Sequence, residues 1–139
     1  MTKDEIKELL RGYQRAKSAY LLARMQLEEC EVMLLGLGVD YSKERVQSMP
    51  QADKLGDIMD RLGRLRQIYL DTGVAAGDAM EATQGLVNGV RDPLLKEVLV
   101  RRYLVGQTWE RIAVEMHYSW QHVHKLHSRA LGELCDRMR

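Results

Sequence analysis

The 139-residue chain contains no phenylalanine, two prolines and two cysteines. With breakers scarce and Leu, Ala and Met frequent beside 29% charged residues, the composition favours helices over strands, and the expected fold class is all-α. Cys30 and Cys135 lie far apart, and with nothing in the sequence directing export, free thiols are expected. Met1 is followed by the charged run TKDEIK rather than by a basic and then apolar export signal, and a cytoplasmic location is therefore expected. No apolar run approaches the roughly 20 residues that span a bilayer, so no membrane partner is expected. A Gly-rich phosphate loop, an acid pair at a defined site and a nucleophile beside an evident base are all missing, which leaves neither an enzyme nor a cofactor to expect. The length suits one domain, or a small domain attached to an extended element.

What is present is unevenly distributed. The net charge of +1 conceals nine Lys/Arg against six Asp/Glu in residues 91–139 and twelve against fourteen in residues 1–90. All four histidines fall in the positive part. A mildly basic C-terminal module is compatible with a polyanionic partner, although so small a surplus also occurs on ordinary domains.

Residues 1–90 read as a helical hairpin. Thr2 and Glu5 form a capping box, followed by an apolar seam at alternating three- and four-residue steps: Ile6, Leu9, Tyr13, Ala16, Tyr20, Ala23, Leu27, Cys30, Leu34 and Leu37. Gly36, Gly38 and the stretch from Asp40 to Ala52 read as a connection. The seam then returns as Leu55, Ile58, Leu62, Leu65, Tyr69, Thr72, Ala76, Ala79, Thr83, Leu86 and Val90. Six glycines in this second helix predict a break near Gly73 to Gly77, or close helix approach. The simplest arrangement is an antiparallel, coiled-coil-like hairpin. Apolar residues off the seam, among them Met25, Val32, Met33, Met59 and Ile68, widen the stripe. They point to a homodimer or higher homo-oligomer rather than a hairpin that serves only as a spacer.

Residues 91–139 read as three short helices. Asp92-Pro93 starts the first, with Leu94, Leu95, Val98, Leu99 and Tyr103 inward and Gly106 ending it. Thr108 caps the second, which places Trp109, Ile112, Ala113 and Met116 inward. His117 and Tyr118 form a turn, and Ser119 caps the third, whose Val123, Leu126, Ala130, Leu131 and Leu134 share one side. This is a helix-turn-helix. The 100° step sets Gln121, Lys125 and Ser128 on the opposite face, with His122 and Arg129 on one flank and His124 on the other. Such groups suit the major groove, where Gln pairs with adenine and Lys approaches guanine.

The run TWERIAVEMHYSWQHVHKLHSRALGEL, with DPLLKEVLVRRYLVGQ before it, resembles region 4 of sigma-70-type factors over about a third of the chain. The layout of a long helical N-terminal part followed by this module is similar to small phage and prophage late transcriptional regulators of the RinA/ArpU type. The resemblance implies DNA-reading positions at Trp120, Gln121, His122, His124 and Lys125. Sigma factors commonly carry arginine at the positions of Trp120 and His124, and a small residue at that of His117. Nothing in residues 1–90 resembles the promoter-melting region, so the implied role is binding of duplex DNA at a site of its own.

Ser119, Trp120, Gln121, His122, His124, Lys125, Ser128 and Arg129 are therefore the candidate DNA-binding residues, carried by the helix at 120–137. The histidines invite a metal reading, but only His124 and His127 share a face, and no cysteine pair or carboxylate completes a site. His127 reads as partly packed against the core. Protonation of the histidines near pH 6 should strengthen phosphate binding. Trp109 reads as core; Trp120 suits either packing on Tyr118 or contact with DNA. The expected function is a sequence-specific, duplex-DNA-binding transcriptional regulator, phage or prophage encoded. The rivals are the DNA-recognition subunit of a packaging terminase and a sigma-like module that binds RNA polymerase without DNA.

Overall fold

The structure is a computed structural model. It describes the backbone of residues 1–41 and 48–139, and the side chains of residues 1–36 and 53–139. Among these residues there are five α-helices and no strand: α1 (Lys3–Tyr41), α2 (Ser48–Asn88), α3 (Pro93–Leu99), α4 (Trp109–Met116) and α5 (Trp120–Arg137), with a π-helical stretch, Val100–Val105, continuing α3. The all-α expectation holds. No helix among the described residues is long and apolar enough to cross a membrane.

The two long helices outrun their expected ends. The α1 backbone passes through Gly36 and Gly38 to Tyr41, and α2 starts at Ser48, so the described residues of the connection expected over Asp40 to Ala52 are helical; residues 42–47 lie outside the described ones. Nor does α2 break between Gly73 and Gly77. A glycine costs a helix about 1 kcal/mol, too little to interrupt one held by packing. Close approach does occur at Gly73, where a Cβ would sit 3.4 Å from the Tyr20 ring.

The chain divides into two compact units, Lys17–Ala75 and Met1–Ala16 with Ala76–Arg139. In the unit Lys17–Ala75, the two helices pair antiparallel within one chain. Tyr20 stacks on Tyr69 with ring centroids 5.1 Å apart and their hydroxyls 3.0 Å apart, while the Cys30 thiol points at the Ile58 carbonyl. Ala23, Leu27, Cys30 and Leu62 are buried along this line, with Ile58, Leu65 and Tyr69 packed beside them. The heptad seam is thus the buried line here, and Cys30 acts in it as a small apolar group with a free thiol.

The other unit is larger than the segment 91–139 expected as the C-terminal domain. Ile6, Leu10, Val87 and Val90 are fully buried in one core with residues of α3, α4 and α5. The start of α1 and the end of α2 are structural parts of this module. The seam shifts accordingly. Leu10 is buried and Leu9 is 46% exposed, because this turn of α1 packs against the module rather than along a heptad line. The capping box forms as expected, with the Thr2 amide donating to Glu5 at 2.7 Å and the Glu5 amide to Thr2 at 3.2 Å.

Candidate nucleic-acid interface

Caps, left-handed turns and one long-range side-chain contact position α5. Asp92 caps α3 by accepting from the Leu94 amide at 2.9 Å, with Pro93 in the first helical turn. The helix widens over Val100–Val105 and ends at Gly106, whose φ of 86° is left-handed. The Gln14 side chain donates to the carbonyls of Tyr103 and Leu104, at 3.0 and 3.2 Å, occupying acceptors at the helix end. Thr108 and Ser119 then cap α4 and α5, accepting from the amides of Arg111 and His122. Between those helices His117 adopts φ 60°, the left-handed turn that a small residue more commonly takes.

Around the turn into α4, Glu115 accepts from Gln107 at 2.7 Å and from Arg111 at 3.1 Å, and it pairs with Arg101, which also reaches Glu97. These donors, Gln107 foremost, hold the Glu115 carboxyl below the usual range. Val123, Leu126, Ala130, Leu131 and Leu134 are all buried, so the face of α5 inferred from its periodicity is the one packed inward.

The eight candidate residues separate on this frame. Gln121, Lys125 and Arg129 are exposed and make no hydrogen bond or ion pair among the described residues. Trp120 is 47% exposed, and His122 is exposed with its ring 4.6 Å from that of Tyr118. Ser119 spends its hydroxyl on the cap, and Ser128 accepts from Lys3 Nζ at 2.9 Å.

His124 departs from the expectation of a reading residue. It is half-buried between two indoles, with ring centroids 3.8 Å from Trp120 and 4.5 Å from Trp109, and its Nε2 is shielded without a partner. Its flank of α5 faces α4, and the large Trp109 closes over it. Trp120 accordingly packs on His124 rather than on Tyr118.

His127 is buried more completely than expected. Its Nε2 lies 2.8 Å from the Tyr103 hydroxyl, and its ring meets Trp109 edge-on. Burial first, and then the charges of Lys7, His124, Arg102 and Arg11, push its pKa down to about 4. It therefore stays neutral at pH 6 and contributes nothing to any strengthening of phosphate binding there. Trp109 is half-buried against the core and covered by Arg102, whose guanidinium lies 4.6 Å from its ring centroid. Among the described residues, no group of three or more His, Cys, Asp or Glu is placed to hold a metal ion. The contributions of Lys3 and Gln14 were not read from sequence, because contacts across more than 80 residues leave no periodic signal.

Comparison with protein-family models, curated proteins and solved structures found no match to this chain.

Proposed function

We propose that the chain is a sequence-specific, duplex-DNA-binding regulator of transcription, phage or prophage encoded, that presents the exposed side of α5 to the major groove. The observation that carries this reading is a capped helix-turn-helix whose last helix holds Gln121 and Lys125 one turn apart, both exposed and both without an intramolecular partner. Gln matches the two edge groups of adenine and Lys the acceptors of guanine. Arg129 lies one further turn along the same side and suits a phosphate. Trp120 adds an apolar contact for a thymine methyl or a sugar.

A second copy of this chain fits the unit Lys17–Ala75. Met25, Val32 and Met33 on α1 are 58%, 67% and 55% exposed, and Ile68 and Val74 on α2 are exposed as well. Few cations on one reading helix give weak binding alone, and joining two modules makes the second contact effectively intramolecular. Sedimentation of the purified protein should give a dimer. A ring of about eight or more chains instead favours a packaging subunit.

The test is equilibrium binding to fragments of the neighbouring genome at two salt concentrations, with the Gln121→Ala/Lys125→Ala variant alongside. Saturable binding to one fragment, weakened by salt and lost in the variant, is expected. Equal binding to every fragment, or none, turns the reading toward a protein partner such as RNA polymerase.

A further inference from the structure

A cavity of about 380 Å³ opens in the unit that contains α5, within the range of about 300–1,000 Å³ typical of ligand pockets. Three cations line it, Lys7 and Arg11 from α1 and Arg102 from the π-helical stretch, together with Trp109, His124 and His127; no Asp or Glu does. A concave wall bearing one sign of charge concentrates the field inside it. That field is felt by the neighbouring His127, which is held uncharged partly by these same cations.

Among the described residues, Lys7 and Arg11 pair outside the cavity only with carboxylates at the surface. Lys7 lies 3.5 Å from Asp4, whose side chain is 92% exposed, and Arg11 pairs with Glu8 at the surface. Arg102 donates to the Gln107 carbonyl at 3.0 Å and has no carboxylate partner among the described residues. Stacking of an incoming ring is disfavoured, because Arg102, His124 and His127 already surround the Trp109 indole at 4.5 to 4.7 Å. Charge is therefore the chemistry on offer, and Arg in particular matches paired oxygens.

We propose that this cavity binds a compact phosphate-class oxyanion held by Lys7, Arg11 and Arg102. The group can come from a free small phosphate compound or from the backbone of a bound duplex, and the two sources separate by experiment. Full-length protein is titrated with pyrophosphate at constant ionic strength, with sodium chloride as the control, reading the fluorescence of Trp109 and Trp120. Lys7→Gln, Arg102→Gln and Gln121→Ala are compared, and circular dichroism verifies each fold. The Lys7 side chain is 34% exposed and, among the described residues, makes its ion pair only with the exposed Asp4, so its variant stays informative even if Arg102→Gln unfolds.

A saturable response, weakened at least about tenfold in Lys7→Gln or Arg102→Gln and unchanged in Gln121→Ala, is expected for a free phosphate ligand. If pyrophosphate gives no response but each of the two variants lowers the salt slope of duplex binding by about one, the phosphate held is that of DNA. The proposal is overturned by a pyrophosphate response that both variants leave intact, or by neither a response nor a changed slope. Because the pyrophosphate arm uses no DNA, it stands even if the chain reads no duplex.

Discussion

Gly106 offers a quantitative check on how the start of α1 is tied to the helices of the unit that contains α5. Its φ of 86° is left-handed, and a Cβ there would lie 3.0 Å from Gln14 Oε1 and 3.2 Å from both Cδ and Nε2. Gly106→Ala incurs about 1–2 kcal/mol of left-handed strain, offset by about 0.4–1 kcal/mol from a less flexible unfolded chain. It also displaces the Gln14 amide from the two carbonyls it caps at 3.0 and 3.2 Å, a loss of about 1 kcal/mol. The net expectation is a destabilisation of about 1–2 kcal/mol. Removing Gln14 first removes the obstruction. In a Gln14→Ala background the same change should therefore cost about 1 kcal/mol less, and the double-mutant cycle should return that difference as coupling. Urea unfolding followed by tryptophan fluorescence reads the right unit, since Trp109 and Trp120 both lie in it. Additivity within about 0.3 kcal/mol would refute the idea that the Gln14 amide closes this helix end.

Stability should also fall with acid in a defined window. His127 is near 6.5 when unfolded and about 4 when folded, so the unfolded chain takes up a proton that the folded one refuses. The contribution of His127 is full above about pH 6.5, declines through the interval and is gone below about pH 4, with about 3 kcal/mol lost. His127→Gln should flatten that slope in urea titrations across the range. Thr108→Ala and Ser119→Ala should each lower stability by about 1 kcal/mol through lost caps, measured as a drop in urea midpoint at constant m. Leu62→Ala, in the other unit, should cost about 2–5 kcal/mol, read by far-ultraviolet circular dichroism because no tryptophan lies there. Met25→Glu with Met33→Glu should shift sedimentation toward monomer with little loss of helix; unchanged assembly would place the contact elsewhere.

How much of this was legible in sequence depends on the range of the interaction. Local signals held: the Thr2–Glu5 box, the Asp92, Thr108 and Ser119 caps and the inward face of α5 each depend on residues within a turn or two. Long-range packing was not legible. Leu9 and Leu10 are adjacent leucines, and which of them is buried depends on where α3 to α5 lie, not on the heptad. Ser128 reads as a base-contacting group, and its bond from Lys3, 125 residues away, has no signal in the sequence. His124 was assigned to the exposed flank by helical angle alone, and two indoles that periodicity cannot weigh covered it. Glycine counting misjudged α2 for a related reason, since its penalty is small beside the packing along the helix.

The central claim is that α5 reads the major groove. Methylation interference on the bound genomic fragment tests it most directly, because guanine N7 lies in the major groove and adenine N3 in the minor. The account expects interference at guanine N7 within the site, with one such position losing its effect in Lys125→Ala. Interference confined to adenine N3, or a pattern identical in wild type and Lys125→Ala, would contradict it.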